Sequence, residues 1–308
     1  MTDTVSDTVT DTLSWQARMV KFALHRTLRK IMRADLPPVI LRQKIENPGF
    51  LKNVLVKKQG AHSKNTLNGV NVQWAGNPAG KKVLLYFHGG GYIFGSPTTH
   101  RGLADRIART FEARTVIPDY RLAPENPFPA AVDDAFACYQ GLLETGMAAQ
   151  DIVIAGDSAG GGLTAALLLK IKDENNPLPA GAMLLSPWLD LTCSGESLDT
   201  NEAHEDMLSS KMIRMAPPHY HGATPPDHPY VSPLFGDLQG LPPILVQVGT
   251  REALYSDSTR FVEKAKAAGV SIGLQEFYMQ PHVFQIFFAF VPEARTAIDK
   301  LGAFAKDL

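Results

Sequence analysis

The 308-residue sequence predicts an α/β fold around a mostly parallel sheet, and three observations carry that expectation. Short apolar runs recur over 53–56, 70–74, 83–87, 115–118, 152–155, 182–185, 244–248 and 272–277. Several are continuous rather than alternating, as strands buried on both faces require. Helical patterns separate the later runs, near 99–112, 130–145, 159–172, 257–268 and 292–305. Such alternation builds three layers, with helices on both faces of one sheet, here of eight strands.

Taken in order, residues 1–12 are rich in Thr and Asp and read as a frayed end. Residues 13–33 have Val20, Leu24, Leu28 and Ile31 at helical spacing, and six basic residues with no acidic one. Such a cationic amphipathic helix can lie on an anionic membrane. The plainer reading is a helix packed over the body with its basic face in solvent. Pro37 and Pro38 end it. The runs 53–56 and 70–74 can pair as an antiparallel hairpin. Residues 190–240 break the rhythm: they hold Met207, Met212, Met215, Tyr220, several prolines and four histidines, with no strand signal until Ile244. They read as an insertion between two strands.

Composition excludes several classes. The chain is 44% hydrophobic, ample for one large core, and 30 basic against 31 acidic residues leave a net charge of −1. No imbalance points to a nucleic-acid partner. Cys138 and Cys193 form no disulfide framework or zinc spacing, and Cys138 reads as a buried free thiol, consistent with a reducing compartment. No apolar run reaches the ~18 residues that span a bilayer, and the N-terminus lacks the charge and apolar core of a signal peptide. These features lead to the expectation of a cytoplasmic protein without integral membrane association.

The chemistry centres on IVIAGDSAGGG. The strand 152–155 runs into Gly156-Asp157-Ser158-Ala159-Gly160, and a helical pattern follows at once. This is G-x-S-x-G in the strand–turn–helix context that lifts a serine hydroxyl above a sheet. Gly156 and Gly160 allow strand and helix backbones to approach, and the helix N-terminus favours developing negative charge. A Gly-rich turn carrying a solvent serine is the competing reading.

The second piece is LLYFHGGGYIFGS, where His88-Gly89-Gly90-Gly91 follows the strand 83–87. Acyl transfer creates an oxyanion that needs fixed N–H donors. Gly89 and Gly90 are expected to supply two and Ala159, after Ser158, a third. A phosphate-binding loop is disfavoured, since no Lys follows the glycines as G-x-x-x-x-G-K-[ST] requires. His88 reads as a residue that orders this loop.

HGGG and GDSAGG, with Tyr120-Arg121-Leu122-Ala123-Pro124-Glu125 between them, resemble the bacterial hormone-sensitive-lipase family of α/β-hydrolases over about residues 82–290. The resemblance implies an esterase core with a helical cap. The expected division is therefore 1–48 as N-terminal cap helices and 49–308 as the catalytic domain, with 190–240 inserted as the second part of the cap.

A serine nucleophile needs a histidine base and an acid to orient it. In α/β-hydrolases the chain order is Ser, acid, His. Of the histidines after Ser158, four lie in the insertion. His282 follows the last strand, in Gln280-Pro281-His282-Val283-Phe284, which resembles the family's histidine loop. After the strand 244–248, Glu252 and Asp257 compete for the acid. Glu252 is nearer the strand end and matches the family's acid position, while Asp257 reads as the N-cap of the next helix.

Supporting assignments are looser. Asp157 can hydrogen-bond around the turn or face solvent. Arg121 and Glu125 can brace the glycine loop, and Asp190 can anchor one. Tyr92, Phe94, Trp188, Tyr220 and Phe287 are expected around a substrate pocket, with ordinary core packing the alternative for each.

Together these residues point to a carboxylesterase acting on short-to-medium-chain esters through an acyl-enzyme on Ser158, with His282 and Glu252. No metal or organic cofactor is required, and the partner is a small-molecule ester. An amidase or deacetylase would use the same groups. A non-catalytic binder of the same fold is the other alternative, although it would be expected to lose the serine, histidine or glycine loop. The run 272–277 is also a candidate edge strand for a homodimer.

Overall fold

A computed structural model describes residues 7–33, 36–46 and 62–308. Its centre is a sheet of nine strands among the described residues: β1 (Asp7–Thr10), β2 (Ser63–Leu67), β3 (Val70–Gly76), β4 (Val83–Phe87), β5 (Arg114–Pro118), β6 (Ile152–Asp157), β7 (Gly181–Leu185), β8 (Ile244–Gly249) and β9 (Ile272–Phe277). Their order is β1-β9-β8-β7-β6-β4-β5-β3-β2. The β2–β3 and β3–β5 pairs are antiparallel, and all others are parallel.

The continuous apolar runs are the central strands, and both their faces are covered. Leu84, Tyr86, Val153, Ala155, Met183 and Leu185 point into one core layer. There they meet Leu103, Ile107, Ile298 and Leu301 from α4 (Pro97–Thr110) and α11 (Pro292–Lys306). Val83, Leu85, Phe87, Ile152, Ile154 and Leu184 point the other way. That layer holds α5 (Ala130–Glu144), α6 (Ala159–Asp173) and α10 (Tyr255–Ala267). Strand residues alternate between faces, so each run needed apolar residues at every position. Both cysteines are free thiols, Cys138 buried in the second layer.

Two expectations change at the sheet's margins. Residues 7–10 are not frayed: they add β1 in parallel beside β9, with a register shift between Thr8 and Thr10. Thr and Val are β-branched and suit a strand, and Val9 packs on the core. The sheet therefore gains a ninth strand, and β9 is not its edge. The hairpin partner of β3 is 63–67, across the turn at Asn68 and Gly69, both with positive φ. The run 53–56 lies outside the described residues.

The helix expected over 13–33 is two helices, α1 (Trp15–Arg26) and α2 (Leu28–Arg33). They break at Thr27, whose hydroxyl donates to Ala23 O at 2.6 Å. α3 (Pro38–Glu46) follows. The 190–240 segment carries only the short helices α7 (Ser197–Thr200), α8 (Ser210–Met215) and α9 (Pro217–His221) and a 3-10 turn at Pro233–Phe235. It meets the N-terminal helices through polar ties. Arg29, buried in α2, donates to Glu202 O at 2.5 Å and to its carboxylate at 3.1 Å. The other Glu202 oxygen accepts from Ser210 N and Oγ at 2.7 and 2.6 Å. Ser209 Oγ donates to Met32 O at 3.2 Å, and Lys21 pairs with Asp206 at 2.9 Å.

Candidate active site

Five parallel strands end at one rim of the sheet, and every residue expected to carry chemistry follows one of those ends, as open α/β sheets favour. β4 leads to His88 and the glycines, and β6 leads to Ser158. β7 leads to Ser186, β8 to Glu252 and β9 to His282.

Ser158 sits between β6 and α6 at φ 53°, ψ −121°. A positive φ is rare for a residue with a Cβ, and here tertiary hydrogen bonds hold it. Ser158 N donates to Leu185 O at 2.9 Å, and its carbonyl accepts from Gly162 N at 3.1 Å and Trp188 N at 2.9 Å. Glycine is required on both sides of the turn. A Cβ on Gly156 would lie 2.2 Å from Gly160 O, and one on Gly160 would lie 2.1 Å from Phe87 O.

His282 is buried, and its Nδ1 meets Glu252 Oε2 at 2.8 Å. With the carboxylate accepting, Nδ1 carries the proton and Nε2 is the free lone pair. Nε2 is buried and has no hydrogen-bond partner. His282 and Ser158 line the same cavity. Burial disfavours the imidazolium. The Glu252 hydrogen bond and charge outweigh that, with Glu205 and Asp157 adding, and the His282 pKa is raised above its ordinary value.

Glu252, rather than Asp257, faces the histidine. Its second oxygen accepts from Gly249 N at 2.6 Å and Ser186 Oγ at 2.8 Å. Asp257 is not an N-cap. It lies inside α10, is buried, and accepts from Leu189 N and Asp190 N at 2.8 and 2.9 Å. Burial pushes its carboxyl up to about 7. It anchors the loop after β7, and Asp190 extends that anchor to Thr192, Ser194 and Arg260.

Two residues of this assembly escaped the sequence reading. Ser186, at φ 46°, bonds Glu252 and accepts from Val283 N at 3.1 Å, so it ties the acid to the histidine loop. Its signal was its place directly after a strand in the same rim. Glu205, from the insertion, is fully buried. It accepts from Met207 N and Ala253 N at 2.9 Å each, the latter adjacent to Glu252. Burial raises its pKa, with the Glu252 charge adding to it. No local pattern marked it.

The glycine loop differs in one donor. Gly89 N–H donates to Asp157 Oδ2 at 3.1 Å, so this expected oxyanion donor is already engaged. Gly90 and Gly91, both at positive φ, line the cavity instead. Ala159 is the first residue of α6, where N–H groups lack helical partners. Asp157 does not face solvent. It is buried, accepts from Tyr86 OH at 2.7 Å and lies 3.3 Å from His100 Nε2. His88 orders the loop: its Nδ1 meets Gly89 O at 2.8 Å and its ring stacks on Tyr120 at 4.3 Å. Burial lowers its pKa to about 3, which keeps it neutral. Arg121 binds Asp134 rather than the glycine loop. Glu125 reaches the loop indirectly, through Arg42, which donates to Ile93 O.

The cavity holds about 150 Å³ and its wall is overwhelmingly apolar. Phe94, Trp188 and Phe287 are on its wall. Tyr92 and Tyr220 do not: they stack on each other at 3.7 Å, fully buried, as core. The rest of the wall comes largely from outside the sheet, with Leu28, Met32 and Ile45 from the N-terminal helices and Met207, Met212 and Ile213 from the insertion.

A family described as alpha/beta hydrolase fold matches residues 84–286. The chain belongs to this family. It is 43% identical over 225 residues to an acetyl-hydrolase of Streptomyces hygroscopicus, covering 73% of this chain and 75% of the other. It is 42% identical over 228 residues to an esterase of Acinetobacter venetianus, covering 74% and 75%. The crystal structure of an esterase from the bacterial hormone-sensitive lipase family superposes with a TM-score of 0.90 at 37% identity, covering 96% of this chain and 99% of that one. A hormone-sensitive lipase from a metagenome library gives 0.89 at 39% identity, with the same coverage. The protein is a carboxylic ester hydrolase of the hormone-sensitive-lipase-like group. Among the described residues no helix is long and apolar enough to cross a membrane.

Proposed function

We propose that the protein hydrolyses short-to-medium-chain carboxylic esters through an acyl-enzyme on Ser158. The observation that carries this reading is the unpartnered His282 Nε2, on the wall of the cavity that Ser158 enters, with the opposite nitrogen held by Glu252. Ser158 Oγ adds to the ester carbonyl carbon while His282 Nε2 takes its proton, and Glu252 stabilises the imidazolium. Gly90, Gly91 and Ala159 N–H groups receive the oxyanion. The imidazolium protonates the departing alcohol oxygen as the C–O bond breaks. Water then gives a proton to His282 and attacks the acyl carbon; the acid leaves, and the proton returns to Ser158.

The N-terminal helices and the insertion act as a two-part cap whose apolar side chains bound the acyl group. The cavity of about 150 Å³ suits a short chain, in keeping with a relative that is an acetyl-hydrolase. Activated p-nitrophenyl esters of increasing length test this: an optimum at short to medium chains is expected, and one at long, water-insoluble chains overturns it. Matched amides beside the esters decide the leaving group, since the same residues could serve an amidase or deacetylase. Ser158→Ala is expected to abolish turnover while near-UV circular dichroism stays native. Substantial residual cleavage in that variant would falsify the nucleophile.

A further inference from the structure

Trp15, Met19 and Phe22 are 67%, 63% and 60% exposed. They lie on one helix, α1, at spacings of four and three residues. At about 100° per residue they share an arc of roughly 60°, and Arg26 falls within it. The Arg26 guanidinium carbon lies 4.3 Å from the centre of the Phe22 ring. Ala17 and Leu24 fill the opposite face and are buried in the core. The helix is firmly held. Ser14, its N-cap, donates through N and Oγ to Glu293 at 2.7 and 2.8 Å, and Lys21 pairs with Asp206 at 2.9 Å. The aromatic stripe is therefore a fixed outward face.

Charge selects the occupant. α1 contains no acidic residue, and Arg18 and Arg26 on it are exposed, as is Lys30 in the helix that follows. A second copy docked by two-fold symmetry would bring these cations against their own counterparts. An anionic lipid surface satisfies both features: Trp, Phe and Met enter the headgroup–acyl boundary while the cations meet anionic headgroups. We propose that α1 docks the protein peripherally on anionic membrane surfaces.

The docking helix adjoins the catalytic cavity. α2 starts two residues after α1, and its Leu28 and Met32 line the cavity that Ser158 enters. Esters partitioned into a bilayer surface would thus meet the enzyme at its cap. That consequence rests on the esterase reading, whereas the binding itself does not.

The test is co-sedimentation of the full chain with vesicles of phosphatidylcholine alone or mixed with phosphatidylglycerol, at low and high salt. Expected are binding to the anionic vesicles only, weakening with salt, and a blue shift of Trp15 emission. Trp15→Ser combined with Phe22→Ser, and Arg18→Glu combined with Arg26→Glu, should each weaken binding by about tenfold or more. Both variants should keep the thermal midpoint and the turnover of a dissolved short ester, which separates loss of docking from loss of the site. Absence of vesicle binding by the native chain, equal binding to neutral vesicles, or unchanged binding by both variants overturns the proposal. So does a dimer in light scattering that the Trp15→Ser/Phe22→Ser variant dissolves, because the stripe would then be a self-association surface.

Discussion

His282 is held at one nitrogen and open at the other, and three carboxylates set its proton affinity. Glu252 contributes most, by contact; Glu205 and Asp157 contribute through their charge. A base works only when unprotonated, so kcat/KM should fall as pH drops through a value above the ordinary histidine range of about 6.5. Glu205 offers a useful perturbation because it neither hydrogen-bonds His282 nor lines the cavity itself, although it holds the backbone N–H of Met207, which does. Removing its charge destabilises the imidazolium, lowers the histidine pKa, and keeps the base free at lower pH. Glu205→Gln is therefore expected to move the acid limb of the pH–rate profile downward, and an unmoved limb in a folded variant contradicts the electrostatic role. Of these residues, Ser158 and His282 were legible because a motif or chain order marked them. Glu252 could be separated from Asp257 only by strand distance and resemblance. The structure shows why both are buried acids: one faces the imidazole, and the other caps the backbone of Leu189 and Asp190.

At the scale of elements, the joint between α2 and the insertion decides how the cavity closes. Arg29 is the buried cation of that joint, and Glu202 is its anion. Removing one partner of a buried pair is costly; Glu202 is one-third exposed, which moderates the loss to about 2 kcal/mol. Arg29→Met should lower the thermal midpoint and raise KM for the longer acyl esters more than it lowers kcat, since Met32 and Met212 line the cavity from the two sides of this joint. Steady-state kinetics across the ester series checks this. The helices that flank the sheet were readable from periodicity to within two residues at their ends, whereas α3 and the short helices of the insertion left no periodic pattern. The break at Thr27 was not, because a hydroxyl bonded to the preceding turn ends α1 without a Gly or Pro signal.

At the scale of the whole molecule, the sheet has two different edges. β2 reads Ser-Lys-Asn-Thr-Leu, with four exposed residues and a lysine, a composition that resists strand addition. At the other end β1 covers β9. Deletion of residues 1–10 should bare the β9 backbone and promote self-association, which light scattering would detect; a deletion variant that behaves as the full chain does contradicts this protective role. The two edges also explain how an expectation of pairing through β9 arose. Its apolar pattern is that of an edge strand, and its partner comes from the far N-terminus, whose Thr/Asp-rich sequence reads locally as chain end.

The sequence alone determined the features that local chemistry dictates. These are the strand–helix alternation, the glycines without which the Ser158 turn could not close, and the histidine placed after the last strand. They are legible because short-range sterics and periodic burial leave a pattern in neighbouring residues. The tertiary structure decided what depends on distant segments meeting. It assigned Gly89's N–H to Asp157, removed Tyr92 and Tyr220 from the cavity by stacking them, and brought Ser186 and Glu205 to the Glu252–His282 pair. It also closed the sheet with β1 and turned Trp15, Met19 and Phe22 outward. Each of these outcomes is a choice among partners remote in the chain, and geometry and burial settle that choice only once the chain is folded.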